Sequence, residues 1–215
     1  MKHGKFEISK VYKPLYTKEA EEEKQQKPSN PAKSILEYLH DFVTLLSGIL
    51  LVLLLLLRVV VVSGPSMKNT LIDGDYIALL SNVFYSKPSQ GDIVVASKES
   101  FKNGEPIIKR IIATEGQQVD IDFAAGIVYV DGQALDEPYT LTDTNLMEGI
   151  QFPVTVEKGC VFVMGDNRNE SKDSRNPEIG QIDCREIVGK ALFLLFPGED
   201  KETEKRDFSR IGVLS

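Results

Sequence analysis

Three segments of the chain carry side chains that could act chemically on a substrate, and the first is SGPSMKNTL, residues 63–71. Gly64 and Pro65 precede Ser66 and predict a sharp turn, which can expose the serine hydroxyl and direct backbone N–H groups toward one point. A serine beside glycine and proline is also an ordinary turn former. Ser66 is therefore a candidate nucleophile that this segment alone does not distinguish from a turn residue.

The second segment, PIIKRIIA, contains a basic pair inside an apolar run. Lys109 and Arg110 face opposite sides of a strand, so one of the two points toward the interior or a cleft. Apolar surroundings lower the pKa of a lysine and leave a neutral amine that can accept a proton near neutral pH. Lys109 is thus a candidate general base, and an edge-strand lysine that blocks aggregation is the structural alternative.

The third segment, MGDNRNESKDSR, follows the apolar run CVFVM and occupies residues 164–175. It is far richer in hydrogen-bonding groups than a hairpin connection requires. A Ca²⁺ site is one hypothesis, although the spacing of an EF-hand is absent. The residues with suitable oxygen atoms are Asp166, Asn167, Glu170 and Asp173.

Histidine, cysteine and net charge exclude several classes of site. His3 and His40 are the only histidines and both precede the long apolar segment, so the domain after it has no Ser/His/Asp triad and no histidine-ligated zinc. Cys160 and Cys184 stand outside any CxxC pattern and either pair or remain buried thiols. The net charge of -7 and the pI of about 5.0 argue against a nucleic-acid binder. We expect no metal and no cofactor.

The elements that must position these residues begin with an anchor. Residues 1–33 are polar, carry charges of both signs and predict a solvated cytoplasmic tail. Ser34 and Glu37 have the capping-box spacing, and the apolar run that follows can span a bilayer if Arg58 reaches the interface. We predict one transmembrane helix over residues 34–58. A buried core helix fits less well because the run is apolar on every face, and a cleaved signal peptide fits less well because no A-x-A site follows.

Beyond the anchor, residues 59–200 consist of short β-type runs separated by Gly, Asp, Asn or Pro, which predicts a mainly β domain. Clear examples are DYIALL, DIVVA, PIIKRIIAT, CVFVM and IVGKALFLLF. Residues 201–215 are charged again, and we expect them to lie at the periphery.

Five segments in order resemble the successive conserved segments of bacterial type I signal peptidases, which are membrane-anchored serine proteases. They are SGPSMKNTL, GDIVV, KRIIATEGQQVD, YVDGQALDEPY and VMGDNRNESKDSR. The similarity covers about residues 42–197. It implies a β-rich catalytic domain of antiparallel sheets behind one transmembrane helix, with the N-terminus cytoplasmic and the catalytic domain extracytoplasmic.

The resemblance also implies roles for individual residues. Ser66 would be the nucleophile and Lys109 the general base, and Ser171 would hydrogen-bond the lysine and orient it. The residues implied for the supporting polar network are Asp166, Arg110, Asp173 and Arg175.

The chain departs from the family pattern at two positions beside the nucleophile. Asn69 stands where many members have proline, which predicts a less rigid turn. Gly64 stands where some relatives have a hydroxyl residue that contributes to the oxyanion hole. Stabilisation of the oxyanion would then depend on backbone N–H groups, chiefly that of Ser66.

The expected activity is cleavage of preproteins after small residues, at A-x-A-like sites, through an acyl-enzyme. The expected partners are signal peptides and the lipid bilayer, and the oligomeric state stays open. Self-cleaving repressors use the same dyad, but they are soluble DNA-binding proteins. A non-catalytic membrane-tethered β domain would be expected to lack Ser66 or Lys109. A β-lactamase is not supported, because Ser66 and Lys68 have SxK rather than SxxK spacing.

Overall fold

A computed structural model describes residues 31–99, 101–201 and 203–214 of the chain. Almost all of the predicted polar tail, residues 1–33, lies outside these described residues.

Helix α1 spans Pro31–Leu56. Its portion Ser34–Leu56 has a mean hydropathy of 2.3 and is exposed on all sides, so by length and composition it can cross a membrane. The helix begins three residues before Ser34, so the prediction that Ser34 is the N-cap is wrong. It also ends before Arg58, because Leu57 and Arg58 already pair with the neighbouring strand.

Twelve strands lie in the described residues: β1 (Leu57–Val61), β2 (Tyr76–Ser81), β3 (Ile93–Ala96), β4 (Ile107–Thr114), β5 (Gln118–Asp122), β6 (Ile127–Val130), β7 (Gln133–Ala134), β8 (Val154–Thr155), β9 (Cys160–Met164), β10 (Ile182–Asp183), β11 (Ile187–Phe196) and β12 (Gly212–Val213). One sheet has the order β1-β2-β11-β3-β4-β9-β10, with β12 paired to β11. The second has the order β7-β6-β5-β8. Every pairing is antiparallel, which confirms the predicted mainly β fold.

Strand β4 is central to the larger sheet, between β3 and β9, and its six inner residues are buried. This position explains why its sequence is apolar without alternation: both faces are covered. Lys109 pairs with Val94 of β3, and Arg110 pairs with Met164 at the end of β9. The register therefore places the basic pair beside the start of the polar segment that follows Met164.

The two cysteines are free thiols. Cys160 packs against the apolar cluster that contains Phe162, whereas Cys184 packs against the cluster that contains Val163. Adjacent residues of a strand face opposite sides, so the two thiols belong to different layers of the core.

The C-terminal segment, residues 197–214, is part of the fold, contrary to the expectation that residues 201–215 are peripheral. Gly212 and Val213 add strand β12 to the edge of β11, and Leu214 packs against the core. A short 3-10 helix, Phe208–Arg210, precedes this strand.

Candidate active site

Ser66 lies in the loop between β1 and β2, residues 62–75, which is called the serine loop below. Two backbone hydrogen bonds close its base: Val62 N–H donates to Asp75 O at 2.8 Å, and Gly74 N–H donates to Val62 O at 2.9 Å. Met67 is 1% exposed and anchors the segment beyond the serine in the core. The serine hydroxyl is thus presented, partly exposed, from a loop whose ends and centre are fixed.

Lys109 reaches Ser66 from strand β4. Its Nζ donates a hydrogen bond to Ser66 Oγ at 2.8 Å and another to the carbonyl of Ile108 at 2.9 Å. The lysine is only 4% exposed. A buried amine in contact with a serine hydroxyl is the geometry of a nucleophile beside its base.

A cavity of about 490 Å³ opens onto this pair. Most of its wall is apolar, and both Ser66 and Lys109 line it. The apolar lining residues are Val60, Val61, Val95, Phe101, Ile107 and Ile108. A peptide bond placed here would meet the Ser66 hydroxyl beside a mostly apolar wall.

The polar loop, residues 165–176, folds around Asp173. This carboxylate is fully buried and accepts hydrogen bonds from Gly165 N–H at 3.0 Å and from the Ser171 hydroxyl at 2.8 Å. Arg175 donates to both of its oxygens at 2.9 Å. The structure brings Ser171, Asp173 and Arg175 together as expected, and a direct bond from Ser171 to Lys109 stays a prediction.

Arg110 and Asp166 form a second buried pair, 1% and 0% exposed. The guanidinium donates to both carboxylate oxygens, at 2.9 and 2.8 Å, and the ring of Tyr139 stacks on it at 3.9 Å. Thr70 of the serine loop donates its hydroxyl to Asp166 at 2.5 Å. Asp166 and Asp173 are each paired with an arginine, so the carboxylate oxygens of these two candidate Ca²⁺ ligands are already occupied.

Comparisons with known proteins give a family match over most of the chain. The family model for signal peptidase, peptidase S26, matches residues 35–196. The chain belongs to this family. Its activity is therefore the removal of signal peptides from preproteins by a serine peptidase.

Individual signal peptidases are similar over most of their length. A probable signal peptidase I-1 from Synechocystis sp. is 37% identical over 184 residues, 79% of this chain and 88% of that protein. The signal peptidase I of Bacillus licheniformis is 32% identical over 181 residues, 80% of this chain and 95% of that protein. The solved structure of a signal peptidase I from Enterococcus faecalis is 28% identical, with a TM-score of 0.40 over 49% of this chain and 97% of that one.

The two departures from the signal peptidase pattern have structural explanations. Asn69 has a φ of 98°, which proline, with φ near −65°, cannot adopt. Its side-chain amide donates to Tyr139 O at 3.0 Å and to Thr140 O at 3.3 Å. These two hydrogen bonds hold the turn in place. Gly64 has a φ of 88° and donates its N–H to Asp73 at 3.0 Å.

Gly64 therefore shapes the turn, and its N–H is not available to an oxyanion. Among the described residues, the N–H of Ser66 forms no hydrogen bond. That N–H group is the candidate oxyanion donor expected from the sequence.

Sequence reasoning gave no supporting role in this signal peptidase site to Asn167, Arg168 and Glu137, although it named Asn167 as a possible Ca²⁺ ligand. Asn167 donates its backbone N–H to Ser66 O at 3.0 Å, and its side chain donates to Pro65 O at 3.2 Å. Arg168, 1% exposed, donates to both oxygens of Glu137 at 2.8 and 2.6 Å. All three lie inside the segments that carry the family resemblance, which was the available signal.

Glu148 is a further buried acid beside the polar loop. Its side chain is 9% exposed, with Oε1 3.6 Å from Arg175, and among the described residues its Oε2 has no hydrogen-bond partner. Burial raises the pKa of Glu148, and the charge of Asp173 adds to the rise while Arg175 opposes it. The ionised form of Glu148 is thus less favourable in the folded protein than in an exposed chain.

Proposed function

We propose that Ser66 is the nucleophile and Lys109 the general base of signal-peptide cleavage in this chain. The observation that carries the proposal is the 2.8 Å contact between Lys109 Nζ and Ser66 Oγ at the wall of an apolar cavity. No histidine is present in the residues after the anchor, so lysine is the base within reach of the hydroxyl.

The reaction begins when neutral Lys109 takes the proton of Ser66 as Oγ attacks the carbonyl carbon of the scissile bond. The N–H of Ser66 donates to the developing oxyanion. Lys109 then gives its proton to the leaving amine, and an acyl-enzyme remains. Lys109 next removes a proton from the water that attacks the ester, and it returns this proton to Ser66 Oγ as the signal peptide is released.

The substrate is an extended peptide with small residues, such as Ala, at the first and third positions before the cut. Support comes from the apolar cavity wall, which favours burial of uncharged side chains. An extended chain can add to the neighbouring strands as a further strand.

The anchor is α1, with the N-terminus cytoplasmic and the catalytic domain extracytoplasmic. The apolar span Ser34–Leu56 supports insertion into a bilayer. The orientation follows from the activity, because signal peptides are removed on the far side of the membrane.

The test compares Ser66→Ala and Lys109→Ala with two exposed controls, Ser86→Ala and Lys158→Ala, in detergent. We expect each site variant to lose cleavage of a preprotein by about 1000-fold or more, while circular dichroism shows a folded domain. The controls should retain the wild-type rate. Full activity in either site variant contradicts the assignment of Ser66 and Lys109 as the catalytic dyad.

The pH dependence of kcat/KM provides a second test. An ammonium group accepts no proton, so activity should rise from mildly acidic toward alkaline pH as Lys109 loses its proton. A profile that is flat from pH 5 to 9 contradicts a lysine base. A panel of precursors in the same assay separates a general peptidase from one dedicated to a narrow substrate class.

A further inference from the structure

The C-terminal segment lies beyond the part of the chain that matches the family model, which ends at residue 196. It nevertheless returns to the serine loop. Three of its residues contact that loop: Gly198 and Arg210 both bond to Asp75, and Lys201 pairs with Asp73.

Asp75 is the buried charge at the base of the serine loop, 0% exposed. Its oxygens accept the N–H of Ile72 at 2.8 Å and the N–H of Gly198 at 2.7 Å. Arg210 donates to both oxygens, at 3.0 and 2.6 Å. A carboxylate removed from water requires such a partner, and the guanidinium of Arg210 provides the opposite charge at this position.

Arg210 also donates to the carbonyl of Thr70 at 3.2 Å. Thr70 closes the turn that directly follows the serine: its own N–H donates to Met67 O at 3.0 Å, and Met67 is the residue after Ser66. One guanidinium thus holds the end of that turn and the base of the loop at the same time. A planar group with several N–H donors is suited to this double contact.

The Lys201–Asp73 pair is a different kind of contact. The two side chains are 80% and 41% exposed, so water and salt screen their attraction. Arg210 is 22% exposed and its partner Asp75 is buried. Water and salt therefore screen this ion pair less than the Lys201–Asp73 pair.

We infer that Arg210 is a positioning residue for Ser66, supplied by a segment outside the family-matched part of the chain. It sets the distance between Ser66 Oγ and Lys109 by fixing the Thr70 carbonyl and Asp75. The inference rests on the proposed function, in which Ser66 is the nucleophile.

The experiment measures kcat and KM of Arg210→Ala, Arg210→Lys and the matched control Arg206→Ala in the full-length protein with a preprotein substrate. Arg206 belongs to the same segment but bonds to Pro197 O and covers the ring of Phe196. We expect Arg210→Ala to lower kcat by about 10- to 100-fold with little change in KM, since small misplacements of reacting groups have effects of this size. Arg206→Ala should keep the wild-type kcat.

Arg210→Lys separates a positioning role from a loss of stability. A lysine keeps the positive charge beside Asp75, but it cannot also donate a hydrogen bond to the Thr70 carbonyl with the same geometry. Thermal stability should therefore return close to wild type while kcat stays reduced at least about 3-fold. A wild-type kcat in folded Arg210→Ala overturns the inference, and so does complete recovery of kcat in Arg210→Lys.

The two proposals fail differently. If Ser66 is not the nucleophile, Ser66→Ala retains activity whatever the Arg210 variants do. If only the positioning role is wrong, Ser66→Ala is inactive and Arg210→Ala has normal kcat.

Discussion

The serine loop and the polar loop supply the two sides of the same site, but they are held in place differently. Buried charges fix the polar loop, and Asp173 and Arg175 pair within the loop itself. The serine loop has one buried charge, Asp75, whose partner Arg210 lies 135 residues away in the sequence. The polar loop thus has one buried ion pair that is encoded locally, beside its distant pairs with Arg110 and Glu137, whereas the buried charge of the serine loop is neutralised only from a distant part of the chain.

The largest effect is expected from Asp173→Ala, which removes the centre of the polar loop. Arg175, 0% exposed, would lose its carboxylate, and breaking a buried ion pair costs about 3–5 kcal/mol. Urea unfolding of the domain measures this loss.

Asp183→Ala is the matched control, because its partner Arg185 is 90% exposed. We expect a clearly smaller loss from this variant, because water screens the ion pair and the other contact affected is the bond from Arg185 N–H to the Asp183 carboxylate. Equal losses in the two variants would mean that the polar loop is not held by its internal charges.

A smaller effect is expected where the two loops meet. Thr70→Val keeps the shape of the side chain but removes the hydroxyl that donates to Asp166. Arg110 still neutralises that carboxylate, so the loss is limited to this bond and to the long 3.5 Å bond from Arg110 to the Thr70 hydroxyl, about 2 kcal/mol.

Thr203→Val serves as the reference for this substitution. Its hydroxyl donates to Asp200 on the exposed surface, and its loss should cost less than about 0.5 kcal/mol. If Thr70→Val has no larger effect in thermal unfolding, the loops are not coupled through Asp166.

The smallest effect concerns Glu148, at the outer side of the polar loop. Its pKa is raised in the folded protein, so its stabilising contribution is present below the pKa of the unfolded chain, about 4.3, and is lost as pH rises through the higher folded value. Glu148→Gln cannot ionise. The Tm of this variant should therefore rise relative to wild type between pH 4 and pH 7, by a few degrees at most.

Glu157→Gln, at an exposed turn, controls for the chemical change. A Tm difference between Glu148→Gln and wild type that is constant with pH, or that shrinks toward pH 7, is inconsistent with burial of an ionisable Glu148.

The features predicted correctly from sequence are those that depend on local pattern. The apolar span before Leu56 and the short β-type runs follow from composition over a few residues, and both are present. Ser66 and Lys109 each had an ordinary structural interpretation, and only the order of several segments singled them out. The structure adds the register of β4, which places the lysine against the serine.

The features that sequence could not provide depend on distant partners. Helix α1 ends at Leu56 because Arg58 pairs with Leu79, and no local signal marks that change. The left-handed backbone of Asn69 is stabilised by carbonyls about 70 residues away. The C-terminal segment was expected at the periphery because it contains many charged residues. The sequence around Arg210 gives no indication that its partner is Asp75.

The contacts of Asp166 affect which substitutions this chain can accumulate during evolution. Its side chain bonds to Thr70 and Arg110, and its backbone carbonyl accepts the N–H of Leu141 at 3.0 Å, so three separate stretches of sequence converge on one residue. Substitutions at positions that share a partner do not act independently. The effect of an inherited change at Thr70 should therefore depend on the residue present at position 110, and the reverse.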